Sequence, residues 1–252
     1  MAKTKKQVKQ EETVINLDSF AVPIAIVVAG IVIALAVFLS NKGANQKENV
    51  SKEKETITAG SDEQEAPSSS SSSMLGNAPY VGDKSKAKIA IIEYSDFQCG
   101  YCKRHADQVY PELKSKFVDT GEIIYVFKSY PLGESGLGYN AAVASQCVAG
   151  LVDGDKFASF HTKMFSVTSD ADIKAAAVEL GVDAGKYDAC ITSEDAKQKV
   201  MADRTEGSKA GVEGTPGFVV GKIGDDGKVD GVIIKGAYPF SEFQSAIAKL
   251  SQ

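Results

Sequence analysis

The chain contains 252 residues, with 28 lysines and arginines against 33 aspartates and glutamates, and its formal net charge is −5. Nucleic-acid binding needs an excess of basic residues gathered on one face, so this balance argues against DNA or RNA as a partner. Apolar residues are unevenly spread, and only residues 78–252 have the composition of a globular domain.

The N-terminal segment has the pattern of a membrane anchor preceded by a tail. Residues 1–18 are polar and rich in lysine, whereas residues 19–40 carry no charge. A helix over this run would reach about the 30 Å thickness of the hydrocarbon core of a bilayer. The run exceeds the apolar region of a signal peptide, about 7–15 residues, so we prefer an anchor to a cleaved signal or a buried helix. We predict a cytoplasmic tail over 1–18 and one transmembrane helix over 19–40.

Residues 41–77 predict a flexible linker. They alternate lysine with glutamate, contain the serine run Ser68–Ser73 and hold few large apolar side chains, so they cannot offset the entropy of ordering. Lysines flank the apolar run on both sides, and the positive-inside rule does not settle its orientation. Because a dithiol with two further cysteines suits an oxidising compartment, we expect residues 78–252 on the extracytoplasmic side of the membrane.

The globular part begins with a predicted β-α-β unit. The apolar runs Ile89–Tyr94 and Ile123–Lys128 are typical of buried strands, and Lys103–Phe117 has helical spacing. The two strands are expected to be parallel and joined by a right-handed crossover. This arrangement places Cys99 and Cys102 at the carboxyl edge of the sheet, where the sites of α/β proteins gather.

The segment Cys99–Cys102, with the sequence Cys-Gly-Tyr-Cys, predicts a redox-active pair. Two intervening residues keep the thiols within bonding distance, and the N-terminus of a helix stabilises a thiolate on the first cysteine. Half of a zinc site is the alternative, but the other two cysteines and the two histidines are poorly spaced for a second pair of ligands. We find no metal or organic cofactor motif.

The remaining elements complete an α/β order. Between about residues 137 and 211, alanine-rich and charged segments separated by glycines predict a block of helices. Residues 217–223 and 229–235 predict two strands joined by a turn, and residues 241–250 a closing amphipathic helix.

This order is that of the thioredoxin fold with an inserted helical domain, and two motifs strengthen the likeness. Asp96–Lys103, which contains the cysteine pair, resembles the active-site segment of the DsbA-like thiol-disulfide oxidoreductases. Gly214–Pro216, before the predicted third strand, resembles the cis-proline loop of the same family. The likeness extends from about Val81 to the C-terminus, and it implies one DsbA-like domain with a helical insertion over about 137–211.

The resemblance also implies residue roles. Cys99 is the expected nucleophile and Cys102 the buried thiol that resolves the mixed disulfide. Thr215 and Pro216 would bind an extended substrate through its main chain beside the dithiol. The Gly-Tyr dipeptide departs from the Pro-His of strong oxidants and is similar to that of disulfide isomerases, which implies weaker stabilisation of the thiolate.

Glu93 lies in an otherwise apolar predicted strand, six residues before Cys99. It resembles the buried acid beneath the dithiol of this fold, which exchanges a proton with the second cysteine. A solvated position on a half-exposed strand is the alternative. Lys103 and Arg104 are expected on a solvated helix face, whereas His105 is compatible with either face.

Cys147 and Cys190 complete an even number of cysteines. In a domain expected to be exported, this suggests a second, structural disulfide within the helical block. Two buried free thiols are the alternative.

The sequence thus predicts a membrane-tethered, extracytoplasmic thiol-disulfide oxidoreductase that introduces disulfides into exported proteins containing cysteines. A DsbB-like membrane protein or a similar quinone reductase would reoxidise it. A disulfide reductase or isomerase with the same dithiol is the first alternative. A peptide-binding chaperone, in which the cysteines only crosslink, is the second.

Overall fold

The structure is a computed structural model that describes residues 70–252. The predicted tail, the transmembrane helix and most of the linker lie outside the described residues. Among the described residues, no helix combines the length and the apolar character needed to cross a membrane. The strands of this part are β1 Ser70–Met74, β2 Tyr80–Val81, β3 Ile89–Ser95, β4 Ile123–Ser129, β5 Gly217–Ile223 and β6 Lys228–Lys235. Its helices are α1 Gly100–Gln108, α2 Tyr110–Leu113 with a π-helical turn over Lys114–Val118, α3 Leu137–Val148, α4 Gly154–Met164, α5 Asp170–Glu179, α6 Ala184–Ile191, α7 Glu194–Lys209 and α8 Phe240–Leu250.

Strands β3 and β4 are neighbours in a sheet whose order is β1-β6-β5-β3-β4-β2. They are parallel, with Ile89 opposite Ile123 and Ser95 opposite Ser129. Every residue of both strands is buried, as continuous apolar runs covered on both faces require. Strand β5 pairs with the other edge of β3 and is antiparallel to it. The β-α-β unit predicted from the sequence is confirmed.

Helices α3 to α7 lie between β4 and β5 and form the helical insertion that the sequence predicts over about residues 137–211. Four of them begin at side chains that accept a hydrogen bond from the backbone N–H three residues on, which are Asp153, Ser169, Asp183 and Ser193. Helix α7 packs so closely on β3 that a Cβ added to Gly207 would lie 2.7 Å from the Tyr94 ring. The insertion therefore rests directly on the central sheet.

Strand β1 lies within the segment that the sequence predicts as linker. It pairs antiparallel with β6 along its whole length, and its second and fourth residues are buried. The Ser71 hydroxyl donates to the carbonyl of Ala210 at 2.6 Å, and the Ser73 hydroxyl donates to Glu206 Oε1 at 2.6 Å. The expectation that 41–77 is linker throughout is wrong at this end. Strand β1 has few apolar side chains to bury. Hydrogen bonds from its serines to α7 and to the residue just after α7 help to hold it on the sheet instead.

The sheet separates two apolar clusters. The larger contains Cys102, Tyr125, Phe218 and much of the helical insertion. The smaller lies on the opposite face and contains Tyr94 and Ile124. Because successive residues of a strand face opposite sides, neighbouring positions of β3 enter different clusters.

Candidate active site

Cys99 and Cys102 lie at the start of α1, and they differ in access to solvent. Cys99 is the N-cap residue, with extended backbone angles of φ −82° and ψ 115°, and its carbonyl accepts the first helical bond from Lys103. Cys99 is partly exposed, whereas Cys102, one turn into the helix, is 0% exposed. Only the first sulfur can meet a protein substrate.

The two thiols also differ in acidity. A hydrogen bond from the Cys102 thiol is the largest cause that lowers the pKa of Cys99 to about 5, and the backbone N–H groups of Tyr101 and Cys102 add to it against the partial burial of the sulfur. Burial raises the pKa of Cys102 far above that of an ordinary thiol, and the bond to Cys99 raises it further. At neutral pH the reduced pair therefore holds an exposed thiolate beside a buried thiol.

The peptide bond between Thr215 and Pro216 is cis, and it lies beside the dithiol. The Cys99 sulfur lies 3.2 Å from the carbonyl oxygen of Thr215, to which it can donate while it is protonated. The Thr215 hydroxyl is buried and has no hydrogen-bond partner among the described residues. Residues 116 apart in the chain are thereby brought to one sulfur atom.

Asp96 fixes the loop that presents Cys99, a role that sequence reasoning missed. One of its carboxylate oxygens accepts from the backbone N–H of Gln98 at 2.7 Å, and the other accepts from the N–H of Leu132 at 2.7 Å. The side chain is buried, and it ties the loop after β3 to the loop after β4. An aspartate two residues before a free N–H at a turn is the local signal that would have revealed the first of these bonds.

Glu93 is 1% exposed, so the alternative of a solvated strand position is wrong. The Tyr125 hydroxyl donates to its Oε2 at 2.8 Å, and Nε2 of His105 lies 2.9 Å from the same hydroxyl oxygen. Burial raises the pKa of Glu93 to about 7, although the bond from Tyr125 opposes the rise, and the nearby sulfur of Cys99 adds to it. Glu93 makes no ion pair within residues 70–252.

His105 faces the core, which decides the position that the sequence leaves open. It is 0% exposed and packs on the rings of Phe218 and Phe243 at centroid distances of 4.5 and 5.3 Å. Burial lowers its pKa to about 3, so the ring is neutral at physiological pH. Lys103 and Arg104 lie on the outer face of the same helix, where Lys103 pairs with Asp107 at 2.9 Å.

His161 lies in the same core, with Nε2 3.1 Å from the Ser95 hydroxyl and its ring 4.6 Å from that of Phe127. Burial lowers its pKa to about 3. In the part of the chain that the structure describes, no group of three or more histidine, cysteine, aspartate or glutamate side chains is placed to hold a metal ion.

A cleft of about 260 Å³ opens beside Cys99, between α1 and the helical insertion. Its apolar wall is formed by Phe97, Leu137, Met164 and Phe165. The exposed sulfur therefore borders a surface that can take up apolar side chains next to a substrate cysteine.

Cys147 and Cys190 form a disulfide across 43 residues, with their Cα atoms 5.7 Å apart. It joins α3 to α6 within the helical insertion. The bond is thus separate in the fold from the dithiol on α1.

Comparisons with known proteins agree with this geometry. Residues 75–249 match a protein-family model described as thioredoxin. The disulfide bond formation protein D of Bacillus subtilis is 26% identical over 151 residues, which are 56% of this chain and 67% of that protein. A Rickettsia prowazekii protein, provisionally named a protein-disulfide oxidoreductase, is 26% identical over 156 residues, or 58% of this chain. The chain spans only 55% of the length of that relative.

Solved structures extend the likeness to the whole described domain. The crystal structure of alpha-DsbA1 from Wolbachia pipientis has a TM-score of 0.60 and 25% identity, and the match covers 69% of this chain and 91% of that one. BdbD from Bacillus subtilis in its oxidised form has a TM-score of 0.60 at 21% identity, over 73% and 98% of the two chains, which shows the fold alone. The family-model match covers well over half of the sequence. The chain therefore belongs to the thioredoxin family, and within it the chain is similar to protein-disulfide oxidoreductases and to DsbA proteins.

Proposed function

We propose that this protein introduces disulfides into exported proteins through the Cys99–Cys102 pair, and that it does so outside the cytoplasmic membrane. The observation that carries the proposal is the contrast between the sulfurs: Cys99 is accessible with its pKa lowered to about 5, and Cys102 is buried with its pKa raised. A pair built in this way holds one reactive sulfur and one protected sulfur.

The proposed reaction passes through a mixed disulfide. A substrate thiolate attacks Cys99 in the oxidised pair, the bond to Cys102 breaks, and Cys102 leaves as a thiolate that takes up a proton. A second substrate thiolate then attacks the substrate sulfur of the mixed disulfide and releases Cys99 as a thiolate. Two electrons have passed from the substrate to the enzyme. Thr215 and Pro216 would hold the substrate main chain beside Cys99 during both steps.

The acidity of Cys99 favours the oxidising direction. A stabilised thiolate favours the reduced enzyme, and so its disulfide tends to accept electrons. The pKa of about 5 lies between about 7 for thioredoxin and about 3.5 for DsbA. Tyr101 of the Gly-Tyr dipeptide is 62% exposed, with the Arg104 guanidinium 5.1 Å from its ring centroid. The dipeptide therefore lowers this pKa through its backbone rather than through the tyrosine side chain.

Equilibration with glutathione buffers tests the direction. We expect a reduction potential between about −250 mV and the value of about −120 mV for DsbA, and a value below about −250 mV, close to the value of about −270 mV for thioredoxin, would overturn the oxidant assignment. A Cys102→Ser variant should accumulate a mixed disulfide with substrate at Cys99. Failure to recover that adduct, when the variant is folded, would contradict the assigned roles of the two cysteines.

The location and the partners belong to the same proposal. Residues 19–40 would anchor the chain, residues 1–18 would lie in the cytoplasm, and a DsbB-like or similar quinone reductase in the membrane would reoxidise Cys99 and Cys102. The name of the Bacillus subtilis relative, disulfide bond formation protein D, supports an oxidising role. Protease treatment of intact cells stripped of their wall should remove the domain from a membrane-bound fragment. Recovery of the domain uncut, with cytoplasmic proteins, would contradict this location.

Disulfide isomerisation by the same dithiol is the second candidate, and the Gly-Tyr dipeptide favours it. An isomerase must rescue a scrambled disulfide protein without added oxidant, whereas an oxidant must act on a reduced protein. A chaperone without redox chemistry is discriminated by a Cys99→Ser/Cys102→Ser variant, which would then retain full function.

We further propose that the bond between Cys147 and Cys190 serves stability alone. Closing a loop of 43 residues stabilises the domain by about 4 kcal/mol on the chain-entropy model. Replacing both cysteines with alanine should lower stability and leave the reduction potential of the other pair unchanged, and a changed potential would contradict a purely structural role.

A further inference from the structure

The hydrogen bonds beneath the dithiol have a direction. Tyr125 has one hydroxyl proton and donates it to Glu93 Oε2 at 2.8 Å. Its oxygen then accepts from His105, so the ring proton of His105 lies on Nε2, which is 2.9 Å away. The other ring nitrogen, Nδ1, is buried and has no partner among the described residues, as expected of a nitrogen without a proton. The chain of donors therefore runs from His105 through Tyr125 to Glu93.

This arrangement leaves one oxygen of Glu93 unpaired. Oε2 is occupied by Tyr125, whereas Oε1 is buried and has no hydrogen-bond partner within residues 70–252. Cys102 lies one turn before His105 on the same helix, and both side chains are 0% exposed. The helix that carries the resolving thiol thus also carries the end of the donor chain.

The groups around Glu93 are few. Within residues 70–252, the titratable side chains that act on it are Cys99 and Cys102 from α1, Tyr110 from α2 and Tyr125 from β4, and His105 reaches it through the Tyr125 hydroxyl. From β5, the residue opposite it is Phe218, which cannot titrate. The helical insertion adds His161, which acts on His105 and is itself neutral. None of these groups is a cation at neutral pH, so the bond from Tyr125 is the main interaction that favours a Glu93 carboxylate.

We propose that Tyr125, oriented by His105, is a positioning residue that holds Glu93 Oε2 and leaves Oε1 to exchange a proton with Cys102. When Cys102 attacks the mixed disulfide, a bond forms between Cys102 and Cys99, and the bond from Cys99 to the substrate sulfur breaks. The substrate leaves as a thiolate with the electron pair, and the Cys102 proton passes to Oε1. Electron transfer in the opposite direction returns that proton to Cys102. The inference rests on the proposed function of the dithiol.

The resolving step can be followed with a chromogenic aromatic disulfide. The reduced full-length chain in detergent releases one coloured thiol when Cys99 forms a mixed disulfide, and it releases a second when Cys102 resolves it. The rate of the second release is measured against pH from about 5 to about 9. We expect Tyr125→Phe to move the midpoint of this profile to higher pH by about one pH unit, and to slow the step about tenfold below the midpoint, because the carboxylate loses its donor.

Neighbouring side chains provide matched comparisons. Tyr110→Phe removes a buried hydroxyl that has no partner among the described residues and whose ring packs 4.9 Å from that of Tyr125. It should leave the midpoint in place. His105→Phe should move the midpoint in the same direction as Tyr125→Phe but less, and the double variant should move it no further than Tyr125→Phe alone. Glu93→Gln should abolish the titration.

The outcomes separate the two proposals. If the wild-type chain never releases a second thiol, the proposed function of the dithiol fails. If it does, an unchanged midpoint in Tyr125→Phe overturns the positioning role alone, and a shift to lower pH overturns the donor direction. Carboxyl ¹³C resonances of Glu93 give the same answer without redox chemistry, since its titration should move upward only in the Tyr125 and His105 variants. If Tyr125→Phe does not fold, His105→Phe decides the question by the same two readouts.

Discussion

Two glutamates on opposite sides of the sheet show how the same side chain is used for different ends. Glu93 is buried with no cation beside it, and one of its oxygens is unpaired within the described residues. Glu206 is half-buried and pairs with Lys128 at 2.6 Å, while its other oxygen accepts from the Ser73 hydroxyl and the backbone N–H of Met74. Glu206 therefore has a cation and hydrogen bonds on both oxygens, whereas Glu93 has a hydrogen bond on one oxygen and no cation.

The difference appears in their acidities. Burial raises the pKa of Glu93 to about 7. Partial burial also opposes ionisation of Glu206, but the bonds from Lys128 and Ser73 prevail and lower its pKa. A satisfied carboxylate holds its charge and fastens β1, β4 and α7 together. An unsatisfied one near the dithiol gains or loses a proton close to neutral pH, which suits proton transfer and costs stability.

The largest expected effect concerns the pH dependence of stability. A carboxyl whose folded pKa exceeds its unfolded value destabilises the fold progressively as pH rises between the two, here from 4.5 to about 7. Glu93→Gln should therefore equal the wild type in stability below pH 4.5 and exceed it by about 3 kcal/mol at pH 8. Urea unfolding across this range measures the difference. Equal stabilities at pH 8 would contradict the buried, unpaired state.

Glu206→Gln is the matched control, and it should have the opposite sign. A carboxyl with a lowered folded pKa contributes stability above its unfolded value of 4.5, and that contribution is lost as pH falls through the folded pKa. The variant should be less stable than the wild type at neutral pH and should approach it in acid. If Glu93→Gln and Glu206→Gln both raised stability at neutral pH, or both lowered it, the contrast between the two carboxylates would be wrong.

A somewhat smaller effect on the free energy of unfolding is expected when Lys128, the cation that pairs with Glu206, is removed. The Lys128 side chain is 3% exposed, and Lys128→Met leaves Glu206 charged without its partner. Since Glu206 is itself partly solvated, we expect a loss of about 2 kcal/mol in the free energy of unfolding at pH 7. Lys228→Met, which removes an exposed ion pair to Asp230, should cost under about 0.5 kcal/mol. Equal losses in the two variants would mean that the buried pair has no special role.

The smallest effect should come from the serine strand. The Ser73 hydroxyl is bonded to Tyr94 at 2.7 Å and to Glu206 at 2.6 Å, so Ser73→Ala should cost about 1 kcal/mol. Ser72→Ala, on the exposed face of β1, should be neutral. Thermal unfolding of the full-length chain compares the two. A neutral Ser73→Ala would show that the hydrogen bonds of the Ser73 hydroxyl do not help to hold β1 in place.

Much of the fold was predictable because its signals are local. The apolar runs of β3 and β4, the helical insertion and the closing hairpin and helix all lie where periodicity places them. The serine strand was not, because Ser73 reaches Glu206 across 133 residues and no local pattern reports such a bond. A local pattern of apolar residues predicts which side chains are buried. It does not predict long-range hydrogen bonds that hold a polar strand in place.

The same division holds at the site. The sequence by itself determined the cysteine pair at a helix start and its likeness to a family with a cis-proline partner, since spacing and motif order are properties of the chain. Only the tertiary structure decided that Glu93 is buried, that Tyr125 bonds to it from 32 residues away, and that His105 points inward to the same hydroxyl. The protonation of a buried carboxyl depends on which groups fold around it, and that is known only when the strands and the helix have met.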